Sequence, residues 1–160
     1  MTLASTICYT AKKIMTNITK TSIVPYSCEK MFNLVADIEN YTKYLPWCTK
    51  SEIRHQEDNK VVAAVHLEYL KIKTHFVTQN IQTPFSNISM KLVDGPFKIL
   101  TGSWNFNPLG TDGCKISFNL HYQFESTLLE KLIDPVFSYI SKNIMDCFIQ
   151  EARKQYEYVS

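Results

Sequence analysis

The sequence predicts an α+β fold in which a curved antiparallel sheet of about six to seven strands wraps around one long C-terminal helix, in the order β-α-α-β(6)-α. Three observations lead to this prediction. The segments between Cys48 and Phe124 alternate apolar with polar residues, which is the period of a half-buried antiparallel strand. Two short helical segments precede this region, and one long amphipathic segment follows it.

The predicted domain begins with one strand and two helices. The β-branched segment from Thr16 to Val24 is predicted to be the first strand, and Pro25 ends it because proline has no N–H for a ladder. Ser27 is placed as the N-cap of the first helix, and the second helix begins at about Glu39 and ends before Pro46. Their apolar sides comprise Met31, Leu34, Val35 and Ile38 in the first and Tyr41, Tyr44 and Leu45 in the second.

Six strands are predicted in the region of alternation. The pattern is clearest in the last strand, where every second residue from Cys114 to Phe124 is apolar. The turn residues Asp94, Gly95 and Pro96 predict a hairpin between the fourth and fifth of these strands. The first strand begins at Cys48, and the others comprise residues 61–69, 75–81, 88–93, 100–106 and 114–124.

The C-terminal segment predicts a long amphipathic helix. Thr127 and Glu130 have the spacing of a capping box, so the helix is expected to begin at Thr127. Pro135 predicts either a kink or a second helix that restarts with Asp134 as its N-cap. The helix is expected to end at about Tyr156, and its apolar stripe comprises Val136, Ile140, Ile144, Cys147, Phe148 and Ala152.

A curved sheet that covers one helix predicts an apolar cavity between them, a kind of site that binds lipophilic molecules. Tyrosine hydroxyls or an indole N–H on its wall are expected to hold the polar end of such a ligand. The alternative for each aromatic side chain is an ordinary core position. The candidates for the cavity wall are Trp47, Val65, Leu67, Tyr69, Met90, Leu92, Trp104, Phe106, Phe118, Tyr122, Ile140, Ile144 and Phe148.

Length and charge predict one domain at residues 16–158. The chain has 160 residues, of which 45% are hydrophobic, and this suits a single packed core. Residues 1–15 are predicted to be a disordered extension or to precede a true start at Met15. The net charge of +2 without a strong basic cluster argues against DNA as a partner. No apolar segment approaches the ~20 residues that span a bilayer, so a soluble or peripheral protein is expected.

The sequence contains no recognisable catalytic or metal-binding motif. The patterns GxSxG, HExxH, Walker A and GxGxxG are all missing. Five cysteines are scattered singly along the chain, which predicts a reducing compartment and argues against a disulfide framework or a zinc site.

The individual titratable residues also have structural explanations. His55, His66 and His121 are predicted on the surface, and His75 is predicted to be partly buried. Two carboxylates, Asp37 and Glu39, are interpreted as helix caps, and Cys48 as a small packed residue. The protein is therefore predicted not to be an enzyme and to need no metal and no cofactor.

Several segments resemble one known family. Residues 24–27 (VPYS), 31–37 (MFNLVAD) and 44–48 (YLPWC) are similar to the opening of the coenzyme Q-binding START-like family, within the polyketide cyclase-like (SRPBCC) superfamily. Residues 92–97 (LVDGPF), with Gly102, Trp104 and Phe106, resemble its bacterial branch of ribosome association toxins. The spacing of residues 135–137, 148, 152–153 and 156 agrees as well.

The resemblance implies a helix-grip domain without a catalytic centre. Its members bind ubiquinone in the apolar cavity and support cellular respiration, so the resemblance implies a ubiquinone ligand and a cytoplasmic protein with peripheral contact at the inner membrane. The alternative is a toxin of a toxin-antitoxin pair that binds the large ribosomal subunit, blocks subunit association and inhibits translation initiation. A third hypothesis is an aromatase or cyclase, since the same architecture also hosts enzymes.

Overall fold

Antiparallel strands curve around one long helix, as the sequence predicts. The computed structural model describes residues 15–157, so the predicted N-terminal extension lies outside the described residues except for Met15. The elements in chain order are β1 Thr16–Val24, α1 Cys28–Ala36, a 3-10 turn Ile38–Asn40, α2 Tyr41–Tyr44, β2 Cys48–Glu57, β3 Lys60–Tyr69, β4 Ile72–Thr83, β5 Asn87–Asp94, β6 Phe97–Leu109, β7 Gly113–Phe124 and α3 Thr127–Tyr156.

The seven strands of the described part of the chain form one sheet in the order β1-β7-β6-β5-β4-β3-β2. Consecutive strands from β2 to β7 form hairpins, whereas β1 pairs with β7, the strand furthest from it in the sequence. The register shifts between Val77 and Thr78 in β4 and between Phe97 and Ile99 in β6. Such irregularities increase the local twist, so they help the sheet to curve around the helix.

Gly102 allows β6 to pack closely against its neighbours. A Cβ at this position would lie 2.8 Å from Cε of Met90 and 3.0 Å from the carbonyl oxygen of Asn119. Gly102 pairs with Met90 on β5 and with Leu120 on β7 without a register shift. The glycine therefore leaves room for these neighbours and does not mark a bulge.

The helical segment between β1 and β2 follows the prediction at its start and departs from it at Asp37. Ser27 is the N-cap of α1, and its Oγ accepts a hydrogen bond from the backbone N–H of Lys30 at 3.2 Å. Asp37 takes the N-cap position of the 3-10 turn and Glu39 lies in its first turn, as predicted, but the Asp37 side chain makes no cap hydrogen bond to the backbone. Instead its carboxylate accepts hydrogen bonds from Asn40 Nδ2 at 2.9 Å and from the Tyr44 hydroxyl at 2.7 Å.

The C-terminal helix is continuous, and two details of its prediction are wrong. Its N-cap is Ser126, whose Oγ accepts from the backbone N–H of Leu129, and Thr127 is already helical. No second helix begins at Pro135, which lies inside α3. Buried side chains on both sides of the proline, Ile133 and Val136, pack into the core. This burial outweighs the lost backbone hydrogen bond, since an internal proline costs about 3 kcal/mol.

A cluster of aromatic rings fills the space under the first half of α3. Phe137 lies 4.9 Å from Phe97 and 4.8 Å from Tyr122, measured between ring centroids. Phe124 stacks on Phe97 at 4.8 Å. We call Phe97, Tyr122, Phe124 and Phe137 the aromatic cluster. Edge-to-face and offset pairs of this kind add about 0.5–1.5 kcal/mol each beyond area burial, so this end of the domain is well packed.

Candidate functional site

Beyond the aromatic cluster, the helix and the sheet enclose a cavity of about 100 Å³. The inner faces of β3 to β7, the middle of α3 and the segment between α1 and β2 form its wall, and Phe137 belongs both to this wall and to the aromatic cluster. The side chains on this wall are Ile38, Tyr41, Leu45, Ala63, Val65, Leu67, Phe76, Asn80, Met90, Leu100, Trp104, Phe118, Leu120, Phe137, Ile140, Ser141 and Ile144.

Only a few polar groups belong to this wall, and two of them are already hydrogen bonded. The Ser141 hydroxyl donates to the carbonyl oxygen of Phe137, one turn earlier in α3, at 2.8 Å. The Tyr41 hydroxyl donates to the carbonyl oxygen of Val35. Burial raises the pKa of Tyr41 above its ordinary value, so this hydroxyl stays protonated at neutral pH.

Asn80 is the third polar residue of the wall. Its Oδ1 accepts a hydrogen bond from the Thr78 hydroxyl at 2.9 Å, and both side chains are only 6% exposed. Its amide nitrogen has no hydrogen-bond partner among the residues that the structure describes. Asn80 also borders a smaller space of about 10 Å³, shared with Tyr41, Trp104 and Gln82. Asn80 therefore carries a donor on the cavity wall that remains free to bind a ligand or a water molecule.

Seven of the thirteen sequence candidates line this cavity. They lie on the inner phase of β3, β5, β6 and β7 and on the apolar stripe of α3, where the alternation and the helical spacing predict them. These residues are Val65, Leu67, Met90, Trp104, Phe118, Ile140 and Ile144. Their role in ligand binding stays a prediction.

The other six candidates are not part of the cavity wall. Phe106 packs edge-on against Phe32, and Tyr122 belongs to the aromatic cluster. The ring of Tyr69 stacks on Tyr139 of α3. The full set is Trp47, Tyr69, Leu92, Phe106, Tyr122 and Phe148. Alternation identifies the inner face of a strand, but it does not tell which inner residues contact the cavity.

Ten wall residues are missing from the sequence candidates. Phe137 and Ser141 lie one helical turn from Ile140 and Ile144, and the spacing of α3 is a signal that identifies them. Asn80 and Phe76 lie on the inner phase of β4, a strand whose polar inner residues hide the alternation. The ten are Ile38, Tyr41, Leu45, Ala63, Phe76, Asn80, Leu100, Leu120, Phe137 and Ser141.

The remaining titratable candidates lie away from the cavity wall. His66 and His75 form a cross-strand pair whose rings stack at 5.1 Å. The predicted burial of these two residues is wrong, since His75 is exposed and His66 is the half-buried member of the pair. Burial, followed by the neighbouring His75, lowers the pKa of His66. Cys48 is buried, and this burial raises the pKa of its thiol, as is typical of a packed cysteine. Within residues 15–157, no three His, Cys, Asp or Glu side chains come together in a way that would hold a metal ion.

The curved sheet, the long helix and the cavity between them define a helix-grip protein of the START-like class. The chain belongs to the polyketide cyclase/dehydrase and lipid transport family, whose model matches residues 24–149. Both the fold and the family resemblance predicted from the sequence are thereby confirmed.

Two bacterial toxins and one mitochondrial protein are similar to this chain. The persistence and stress-resistance toxin PasT of Escherichia coli O6:H1 strain CFT073 is 39% identical over 143 residues, covering 89% of this chain and 90% of that protein. The ribosome association toxin RatA of Escherichia coli strain K12 is 38% identical with the same coverage. The mitochondrial coenzyme Q-binding protein COQ10 of Drosophila melanogaster is 26% identical over 141 residues, covering 86% of this chain and 58% of that protein.

Solved structures show the same fold at low sequence identity. The Zhui aromatase/cyclase from Streptomyces sp. R1128 superposes with a TM-score of 0.79 at 14% identity, covering 89% of this chain and 96% of that chain. A START superfamily protein from Mycobacterium smegmatis gives a TM-score of 0.71 at 17% identity, covering 87% and 98%. At these identities the similarity concerns the fold alone. In the described part of the chain, no helix combines the length and apolarity needed to cross a membrane.

Proposed function

We propose that this protein binds a lipophilic ligand, ubiquinone, in the cavity without catalysing a reaction, and that it serves as a quinone carrier or chaperone in respiratory electron transport. The observation that carries the proposal is the cavity itself, whose wall is apolar apart from Tyr41, Asn80, Ser141 and the indole N–H of Trp104. The name of the COQ10 relative, a coenzyme Q-binding protein, supports the choice of ligand.

The size of the cavity indicates how such a ligand would sit. About 100 Å³ is of the same order as the ~150 Å³ engineered cavity that takes up benzene, so it suits one ring. A long isoprenoid tail needs more room. We expect the ring to occupy the cavity and the tail to leave between helix and sheet towards solvent or a membrane.

The absence of catalysis is part of the proposal, although one protein with the same fold is the Zhui aromatase/cyclase. General acid-base chemistry needs a titratable group within reach of the substrate. Among residues 15–157, the only titratable side chain on the wall is Tyr41, whose hydroxyl donates to the Val35 carbonyl and whose pKa is raised by burial.

Filling the cavity tests the proposal directly. Ser141→Leu places three extra carbon atoms in the cavity from a helix position that faces it, and its matched control is Lys142→Leu, the next and exposed residue. We expect decylubiquinone to bind the wild type and Lys142→Leu equally, with at least tenfold weaker binding to Ser141→Leu, measured by calorimetry. Equal binding to all three proteins, or no binding to the wild type, contradicts the proposal.

A second candidate function is association with the large ribosomal subunit, with inhibition of subunit joining. The names of the RatA relatives, at 38% identity over nearly their whole length, favour it. The net charge of +2 predicts only a weak electrostatic contribution to RNA binding. Co-sedimentation with purified large subunits at low and at physiological salt tests this function. A failure to co-sediment even at low salt would exclude it.

Peripheral contact with the inner membrane from the cytoplasm completes the proposal. Leu70, at the turn between β3 and β4, is 74% exposed, and Tyr69 beside it stacks on the half-exposed Tyr139 of α3. Apolar side chains of this kind enter the headgroup region of a bilayer. Flotation with vesicles of neutral and anionic phospholipids tests this contact, and Leu70→Glu should reduce the bound fraction.

A further inference from the structure

Two N–H donors on the cavity wall have no partner in the described part of the chain. One is the amide nitrogen of Asn80, and the other is the indole nitrogen of Trp104. Both residues border the main cavity and the smaller space beside it. Neither nitrogen is closed off from the cavity, so each can donate a hydrogen bond to a molecule that enters it.

We propose that Asn80 is the residue that recognises the polar end of the ligand, and that it does so by donating a hydrogen bond from its amide nitrogen to an uncharged carbonyl oxygen. This inference rests on the proposed function, since it names the chemistry that the same cavity selects. The ligand class is a neutral ketone or quinone, bound with its carbonyl ring at the Asn80 end of the cavity.

The wall argues for an uncharged ligand. The seventeen side chains that form it within the described part of the chain include no Lys, Arg, His, Asp or Glu. A carboxylate or a phosphate brought into this space would have no charge partner, and an unpaired buried charge is strongly unfavourable. Fatty acids and phospholipid headgroups therefore do not suit the interior, whereas a carbonyl needs only a donor.

The orientation of the Asn80 amide is fixed by a hydrogen bond from Thr78. Thr78 and Asn80 are two residues apart in β4, so their side chains point to the same face of the sheet. The Thr78 hydroxyl donates to Asn80 Oδ1 at 2.9 Å, which directs the acceptor away and leaves both amide hydrogens for a ligand. A donor fixed before binding loses little conformational entropy when the ligand arrives.

The test compares two ligands that differ in their oxygen atoms. Decylubiquinone carries carbonyls on its ring, whereas decylbenzene has the same tail and none. We expect Asn80→Leu to weaken decylubiquinone binding about tenfold, as expected for the loss of one buried hydrogen bond, and to change decylbenzene binding less than twofold. The matched control is Asn119→Leu on the outer phase of β7, which should leave both affinities unchanged.

A second measurement on the unmodified sequence does not depend on how the variant folds. The side-chain amide resonances of Asn80 should shift in ¹⁵N-edited NMR spectra when decylubiquinone is added, and should not shift with decylbenzene at saturation. An equal response of these resonances to both ligands would overturn the proposal, as would an Asn80→Leu protein that loses affinity for both ligands alike.

Failure of the inference is distinct from failure of the proposed function. In one outcome the wild type binds both ligands, and Asn80→Leu does not change the ratio of the two affinities. The cavity then binds lipophilic molecules, but Asn80 does not recognise a carbonyl. If the wild type binds neither ligand, the proposed function itself is wrong and the inference is rejected with it.

Discussion

The two halves of the space under α3 are built differently. Near the start of the helix, four rings of the aromatic cluster pack at centroid distances between 4.8 and 6.1 Å. Phe137 belongs to this cluster and also to the cavity wall, and the next residues on that side of the helix, Ile140, Ser141 and Ile144, face the cavity of about 100 Å³. Small side chains explain the difference, since Ser141 on the helix and Ala63 on β3 both belong to the cavity wall.

This contrast suggests that one part of α3 stabilises the fold and the other part forms the ligand site. The aromatic cluster fixes α3 to the sheet, so the other half does not have to be filled for the domain to fold. Unfilled apolar space costs stability, because its lining atoms lose dispersion contacts. A ligand that enters the cavity restores those contacts, and the domain is stabilised when it binds.

The largest expected effect comes from matched truncations on α3. Ile133 and Ile144 are eleven residues, or about three turns, apart, so they lie on the same face. Ile133 is buried beside the aromatic cluster, whereas Ile144 borders the cavity. We expect Ile133→Ala to lower the free energy of unfolding by about 2–4 kcal/mol and Ile144→Ala by about 1 kcal/mol. Urea denaturation measures both values.

Equal losses from the two truncations would contradict the contrast, because they would mean that the wall of the cavity is as tightly packed as the cluster. A larger loss of unfolding free energy for Ile144→Ala than for Ile133→Ala would mean that the cavity wall is packed more tightly than the cluster. When both variants are measured with saturating decylubiquinone, the loss of unfolding free energy for Ile144→Ala should become larger, because the Ile144 side chain would then contact the ligand.

A smaller effect is expected from the polar edge of the aromatic cluster. The Tyr122 hydroxyl donates to Asp134 Oδ1 at 2.6 Å, which joins β7 to α3. Tyr122→Phe removes this bond and keeps the ring, so we expect a loss of about 1–2 kcal/mol in unfolding free energy and no change in ligand affinity. A drop in decylubiquinone affinity would show that the cluster and the cavity are not independent.

The smallest effect is expected on the outer face of the sheet. The folded-state pKa of His66 is lowered, mainly by burial, so the unfolded chain binds more protons than the folded one as the pH falls through ~6.5. Stability should therefore decrease from about pH 7.5 downwards until the folded-state pKa is passed. His66→Gln should flatten this part of the profile, measured by urea denaturation at several pH values. An unchanged slope would contradict the assignment.

Much of the fold follows from local patterns in the sequence. The alternation from Cys114 to Phe124 corresponds to β7, in which all six predicted inward residues are buried. The sequence does not predict which strand pairs with β1, because β1 and β7 are distant in the chain and no local pattern encodes their pairing. Of the two alternatives predicted at Pro135, the second helix is wrong, because α3 continues through the proline and has buried side chains on both sides of it.

The site was harder to predict than the fold. Periodicity assigns a residue to a face, and seven candidates on the correct faces do line the cavity. It cannot identify a polar residue on an inner face, because the pattern counts such a residue as outward. Asn80 is the clearest example: it follows Thr78 on the inner phase of β4, while the outer-phase Val77 is only 2% exposed. Only the packed structure shows where these side chains lie.

The most direct test of the central claim is mass spectrometry of the lipids that accompany the protein. The wild type and Ser141→Leu are purified from cells that make ubiquinone, and each is extracted with organic solvent. The account predicts ubiquinone in the wild-type extract and at least tenfold less in the Ser141→Leu extract. The claim is contradicted if the wild type carries no isoprenoid quinone and takes none up on addition. It is also contradicted if Ser141→Leu carries as much quinone as the wild type.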